Sequence, residues 1–257
     1  MGEALADNVV VTGGADSVGR VIAERFLARG DKVHICDIRA EALKETLAAN
    51  PGMTGTLANV GDFGAVARVF ADAAAQMGEA TVLVNNVGIA GPRAAIEDIS
   101  LADWQESLQV NLSGMFFCMQ RAIPGMKRRR GGAIVNFSTG STRTRLPHRT
   151  PYVVSKFGVE GLTLNAAREL GPFHIRCNAI LPGMINNARM QGIVAAKAAA
   201  SGGTIAEVEA GYLKHISMRV QIEPAELADM VLFLASDAAR KITGELIAVS
   251  GNLEWEE

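Results

Sequence analysis

Tyr152 and Lys156 stand four residues apart in a stretch with helical spacing, so both project from one helix face. A phenol is a weak base near neutral pH, because a free tyrosine ionises only at about 10. A neighbouring ammonium favours the phenolate. The pair therefore has the makings of a general base that takes a proton from a hydroxyl group. A surface pair at i and i+4 would look the same, so the rest of the chain must decide.

A second constellation follows the first apolar run, Asn8 to Thr12. It reads Thr12-Gly13-Gly14-Ala15-Asp16-Ser17-Val18-Gly19. A glycine-rich turn between a strand and a helix lets backbone approach a pyrophosphate, and the helix start offers free N–H groups to it. Asp37 ends the second apolar run, 18 residues beyond Gly19. That is near the spacing expected of an acid that binds ribose hydroxyls. Its carboxylate would accept from the hydroxyls of NAD and repel the 2′-phosphate of NADP.

These residues need a scaffold, and the pattern of the chain supplies one. Short apolar runs at Asn8–Thr12, Lys32–Asp37, Gly55–Asn59, Thr81–Asn85, Ala133–Ser138, Ile175–Leu181 and Glu245–Val249 read as strands. Helical patterns fall between them: Val18–Arg29 closed by Gly30, Ala40–Ala49, a helix capped by Asp62 that runs to Met77, Tyr152–Leu170, and Pro224–Ala235. Two long helices are expected after the fourth strand, the second from Leu101 to Arg129. Strand–helix alternation with apolar strands implies a parallel sheet covered on both faces. The expected fold class is α/β, a single doubly wound Rossmann-type domain over residues 1–257. Ligands of such sheets bind beyond the carboxyl ends of the strands.

In that frame the chain resembles the short-chain dehydrogenase/reductase family over essentially its whole length. Thr12, Gly13 and Gly19 match the family's first-turn pattern, with Ser17 in place of its middle glycine. A slightly altered turn is expected there. Asn85-Asn86-Val87-Gly88 follows the fourth strand, Asn111 matches the helix asparagine, Tyr152-Val153-Val154-Ser155-Lys156 the Tyr-x-x-x-Lys motif, and Pro182-Gly183 the turn after the sixth strand. Asn59 replaces the usual aspartate near the adenine, and Asn187 the usual threonine at the nicotinamide amide. The resemblance implies hydride transfer between a secondary alcohol or ketone and a nicotinamide cofactor. It gives Lys156 a second role at the nicotinamide ribose and Asn111 a role in a water-linked proton path. The catalytic hydroxyl usually lies 13 residues before the tyrosine, which is Thr139; Ser138 and Ser141 are alternatives.

The implied cofactor set is Gly13, Asp16, Ser17, Val18 and Gly19, then Asp37 and Ile38, Asn59 and Val60, Asn86 and Gly88, Tyr152 and Lys156, and Pro182, Gly183, Ile185 and Asn187. NAD is expected over NADP. The loop before Tyr152 carries Arg143, Arg145, His148 and Arg149, an unusual density of cations beside a substrate pocket. Arg145, His148, Arg149 and Met184 are the substrate candidates, with an anionic polyol, sugar or hydroxy acid as the substrate class. Pairing of these cations across a subunit interface is the alternative. Residues 186–220 are expected to form a lid hinged at Gly202-Gly203, with Met184, Met190 and Ile193 as apolar wall.

Composition excludes other classes. With 257 residues, 49% of them hydrophobic, and a formal net charge of -2, the chain lacks the basic excess of a nucleic-acid binder. The run Lys127–Arg130 ends a helix, where cations complement the dipole. Cys36, Cys118 and Cys177 do not pair by spacing and suggest neither a disulfide nor a metal site. No apolar run is long enough to span a bilayer, and the first residues do not read as a signal peptide. A cytoplasmic homotetramer or homodimer is expected, with Trp255 packed on the body or on a neighbouring subunit. A non-catalytic NAD-binding regulator and a 3-oxoacyl-type ketoreductase are the competing functions.

Overall fold

The computed structural model describes residues 6–254. Trp255, expected to pack on the body or on a neighbouring subunit, lies outside the described residues. Among the described residues, seven strands form one parallel sheet in the order β3-β2-β1-β4-β5-β6-β7. They are β1 Asn8–Thr12, β2 Lys32–Asp37, β3 Thr54–Leu57, β4 Val82–Asn85, β5 Gly132–Phe137, β6 Ile175–Pro182 and β7 Leu246–Val249. The direction of strand order reverses between β1 and β4, which opens a crevice at their carboxyl ends.

Helices cover both faces: α1 Ser17–Ala28, α2 Ala40–Ala49, α3 Phe63–Met77, α4 Leu101–Leu108, α5 Gly114–Arg129, α6 Ser141–Thr144, α7 Thr150–Leu170, α8 Ala188–Ser201, α9 Ile205–Leu213 and α10 Pro224–Ala235. Alternate residues of β1 feed opposite cores, as the two-residue period of a strand requires. Val9 and Val11 pack with Ile22, Phe26, Leu227 and Val231 under α1 and α10. Val10 packs with Val66, Cys118, Ile134 and Cys177 on the side of α3 and α5.

Two expectations are corrected. Only one long helical segment follows β4; the other is a single 3-10 turn, Ile96–Asp98, after a loop containing Gly91 and Pro92. The third strand lies at Thr54–Leu57 rather than 55–59, because its register is set by pairing of His34 with Thr54 and Asp37 with Leu57. The helix capped by Asp62 forms as expected: its Oδ1 accepts from the N–H groups of Gly64 and Ala65 at 2.7 and 3.0 Å. The three cysteines are buried and free. Among the described residues no helix is long and apolar enough to cross a membrane, and no cluster of side chains could hold a metal ion.

Candidate active site

The glycine-rich turn leaves β1 at the crevice and is held from β4. Asn86 Nδ2 donates to the carbonyls of Thr12 and Gly13, both at 3.2 Å, and Thr12 Oγ1 accepts from Asn86 N–H at 3.1 Å. A Cβ on Gly19 would lie 2.0 Å from the Gly13 carbonyl oxygen, so only glycine lets α1 start this close to the turn. Asp37 is buried at the end of β2. Its Oδ2 accepts from Ala15 N–H at 3.3 Å and its Oδ1 from Arg39 N–H at 3.0 Å. Asp16 caps α1 through Ser17 N–H and pairs with Arg39 at 3.0 Å. Ile38 is 65% exposed, Asn59 is exposed with its Oδ1 on Gly61 N–H, and Val18 and Val60 are buried.

Ser17 has φ +48, the left-handed conformation that glycine adopts freely. The turn is therefore kept, with the serine strained into it. Its hydroxyl accepts from Asn187 Nδ2 at 3.2 Å, while Asn187 Oδ1 caps α8 through Met190 N–H. Two of the departures from the family pattern, Ser17 and Asn187, thus contact each other and tie the nucleotide turn to the segment after β6. Ser17→Ala keeps the strain and loses the bond, and is expected to cost about 1 kcal/mol. Ser17→Gly loses the bond but relieves a left-handed penalty of about 1–2 kcal/mol, and should match or exceed the native chain. Urea unfolding of both variants checks this; a glycine variant less stable than the alanine variant contradicts it.

The chemistry-bearing side chains converge around Gly88. Asn111 lies in a π-helical turn, Gln109–Ser113, which joins α4 to α5. Its Oδ1 accepts from Ile89 N–H at 2.7 Å, and its Nδ2 donates to the Ile89 carbonyl and to Ser155 Oγ, both at 3.0 Å. Lys156 is buried, with Nζ donating to the Phe137 carbonyl at 2.7 Å. A Cβ on Gly88 would lie 3.1 Å from that Nζ and 3.5 Å from Asn111 Oδ1, so the glycine leaves the amine and the amide room beside the loop.

Burial pushes the Lys156 amine down to about 7, and the Arg189 cation acts in the same direction. In the unfolded chain the same amine titrates near its ordinary 10.5. Between those values the unfolded chain binds more protons, so raising pH favours folding. Below about 7 both states are protonated and the cost of burying the charge is fully present. The stability of the native chain relative to Lys156→Met is expected to rise from pH 7 to 10, measured by denaturant unfolding. A flat or falling difference would remove the buried cation from the account.

The three candidate hydroxyls part company. Ser138 Oγ donates to the buried Glu160 carboxylate at 2.9 Å, so it is engaged inside the fold. Thr142 Oγ1 donates to the same carboxylate at 2.7 Å. Thr139 Oγ1 and Ser141 remain together on the other side, the threonine donating to Ser141 Oγ at 3.3 Å and accepting its N–H at 3.2 Å. Glu160 was not singled out from the sequence; its one signal is a lone acid on the buried side of α7, and it anchors the turn that presents Thr139.

Of the loop cations, Arg149 alone is stacked on the tyrosine, its guanidinium carbon 5.0 Å from the Tyr152 ring centroid. Arg143 turns toward Glu160 at 3.9 Å, and Arg145 and His148 are exposed with φ +49 and +60. Two arginines absent from the sequence candidates, Arg93 and Arg189, lie close enough to act on Arg149. Pro182, the last residue of β6, and Met184 are buried, Gly183 and Ile185 are half-buried, and the helices α8 and α9 are separated at Gly202-Gly203. Met184 and Met190 join a small apolar cluster with Val194, Ile216 and Tyr212, whereas Ile193 is 37% exposed and stands outside it.

Fold and site together define an oxidoreductase of the nicotinamide-dependent type. A family model described as "Enoyl-(Acyl carrier protein) reductase" matches residues 13–253, and the chain belongs to the short-chain dehydrogenase/reductase family. It is 37% identical to a D-xylose 1-dehydrogenase of Caulobacter vibrioides, covering 92% of this chain and 91% of the relative. A "Probable galactose dehydrogenase" of Rhizobium meliloti is 35% identical, covering 95% and 94%. A trans-4-hydroxycyclohexanecarboxylate dehydrogenase of Sinomonas cyclohexanicum is 31% identical, covering 94% and 90%. Among solved structures, actinorhodin polyketide ketoreductase with NADPH superposes with a TM-score of 0.91 at 26% identity, covering 97% and 99%. NAD+-bound xylitol dehydrogenase superposes with a TM-score of 0.88 at 25% identity, covering 95% and 97%. The relatives support action on the CH–OH group of a small molecule.

Proposed function

We propose that this chain is an NAD-dependent dehydrogenase that oxidises a secondary alcohol of a small polyol, cyclic sugar or hydroxy acid. The observation that carries this reading is the convergence of buried Lys156 and buried Asn111 on Gly88, with Tyr152 one helical turn before the lysine and Thr139 two residues beyond β5. The residues present fit a nicotinamide dinucleotide: a turn closed to any Cβ at Gly19, an acid fixed at the end of β2, and room at Gly88 beside the lysine. Gly13, Ser17, Val18 and Gly19 would hold its pyrophosphate, Asp37 its adenine ribose, Lys156 its nicotinamide ribose, and Asn187 its amide.

Hydride acceptance is the chemistry the nicotinamide supplies when bound. The chain supplies the rest. Tyr152 takes the proton from the alcohol oxygen, and the Thr139 hydroxyl donates to that oxygen and steadies its developing charge. In its protonated form Lys156 favours the phenolate before the transfer. Asn111 holds the π turn against the Ile89 backbone and Ser155, which fixes the lysine's surroundings. Residues 186–220 act as the lid. The sugar dehydrogenase relatives support oxidation of a hydroxyl group, and the likeness to a polyketide ketoreductase supports the reverse direction on a ketone.

Assembly into a homotetramer or homodimer belongs to the same reading. Phe116 on α5 and Val154, Phe157 and Leu164 on α7 are large apolar side chains left more than 40% exposed. Three free buried cysteines suit a reducing cytoplasm. The reading is tested by initial rates of NAD reduction with a panel of aldoses, polyols and hydroxy acids. Turnover that depends on Tyr152 is expected; an absence of Tyr152-dependent turnover across the panel, with NADH still bound, would favour a binding protein.

A further inference from the structure

The corner where α7 and α8 begin holds cations in places that stability alone does not favour. Arg149 occupies the N-cap position of α7, yet its side chain makes no capping bond. Arg189 is the second residue of α8. A cation at a helix N-terminus opposes the helix dipole, and neither first turn contains an acid. Arg93 reaches the same corner from the loop after β4. That loop is fastened to the Arg149 segment twice: Arg149 Nη2 donates to the Ala90 carbonyl at 2.9 Å, and Ala94 N–H to the His148 carbonyl at 3.2 Å.

Arg149 is left short of a partner. Its Nε is buried and makes no hydrogen bond. Burial holds its guanidinium below the ordinary arginine value, and Arg189 and Arg93 push the same way, while Tyr152 and Tyr212 oppose them. No carboxylate acts on it, and no ion pair joins Arg93, Arg149 or Arg189 to an acid among the described residues. Arg143, on the same loop, shows the contrasting arrangement, lying 3.9 Å from Glu160. Arg189 also acts on Lys156, so the cluster borders the amine as well as the phenol ring. Three like charges and two helix N-termini gathered beside a candidate base form a corner that a bound anion would complete.

Resting on the dehydrogenase reading above, we propose that this corner is a substrate subsite for an anionic oxygen group, a carboxylate or a phosphate, anchored by Arg149 and closed by Arg93 and Arg189. The substrate class is then a secondary alcohol whose anionic group is several bonds away from the reacting carbon. Arg189 stands at the start of the segment read as the lid, so the anion would also draw that segment toward the loop after β4.

The test is a ligand-observed NMR titration of the full chain, with and without NADH, using cyclohexanecarboxylate, cyclohexyl phosphate and the neutral cyclohexanecarboxamide. At least one anion is expected to bind tenfold or more tightly than the amide, and the better anion identifies the group. That advantage is expected to fall at least tenfold in Arg189→Met and in Arg93→Met, both exposed positions. Arg149→Lys, which keeps the charge and loses the fork, should reduce it as well. Tyr152→Phe retains the aromatic ring and should keep it. Equal binding of all three probes, binding of none, or an advantage that survives in Arg93→Met/Arg189→Met overturns the subsite. A tenfold anion advantage without oxidation of any anionic or neutral alcohol sustains the subsite and removes the dehydrogenase reading instead.

Discussion

Tyr152→Phe is expected to lower kcat/KM by about a hundredfold to ten-thousandfold, the range that a positioned general base contributes, while NADH affinity changes less than about threefold. The substitution deletes one hydroxyl and nothing else. The ring remains for Arg149 to stack on, 5.0 Å away, and Lys156 keeps its bond to the Phe137 carbonyl. Thr139→Val should cost less than the tyrosine change, because it removes a hydrogen bond to the substrate oxygen and leaves the base in place. NADH fluorescence titration separates binding from turnover. A phenylalanine enzyme that retained a tenth of native kcat/KM would move the base elsewhere. The same enzyme with normal turnover but weak NADH binding would make Tyr152 a nucleotide contact only.

The frame that brings these groups together was largely open to inspection in the sequence, because it rests on local signals. An apolar run such as Asn8–Thr12, a cap such as Asp62 and a breaker such as Gly30 each act within a few residues. What stayed hidden depends on contacts between distant segments. A π turn at Gln109–Ser113 and an unbroken α-helix have the same apolar pattern, yet the turn is what aims Asn111 at Ile89 and Ser155. The third strand has only four residues, and its position is decided by pairing with β2. Spacing alone left three hydroxyls as candidates; Glu160, on another element, withdraws Ser138 from the site. Arg93 and Arg189 are far from Arg149 along the chain and meet it only through the loop after β4 and the start of α8. Sequence spacing grouped Arg149 with Arg145 and His148 instead, although their left-handed backbones leave both exposed.

Native enzyme is expected to favour NAD over NADP by at least a hundredfold in kcat/KM, and Asp37→Ser to bring the two within about tenfold. Likeness of fold does not decide this, since one solved neighbour carries NADPH and another NAD+. The local charges support it. Asp37 is only 7% exposed and is fixed by two backbone N–H groups, so it cannot swing away from an incoming 2′-phosphate. Two unit charges 4 Å apart near a protein surface repel by about 4 kcal/mol, against the roughly 1.4 kcal/mol that a tenfold preference requires. Arg39 is a nearby group that could welcome the phosphate. Its side chain is half exposed, but its guanidinium is already engaged by Asp16 at 3.0 Å and Asp37 at 3.5 Å. In the native chain the repulsion should therefore prevail. Replacing Asp37 with serine removes an acceptor for the ribose hydroxyls, which should weaken NAD by about tenfold, equivalent to one charged hydrogen bond. It also releases Arg39 from one of its two acids, so NADP should gain. Steady-state kcat/KM with both cofactors measures the two effects separately. A native preference for NADP would mean that Arg39, rather than Asp37, reads the ribose, and Arg39→Ala would then abolish that preference.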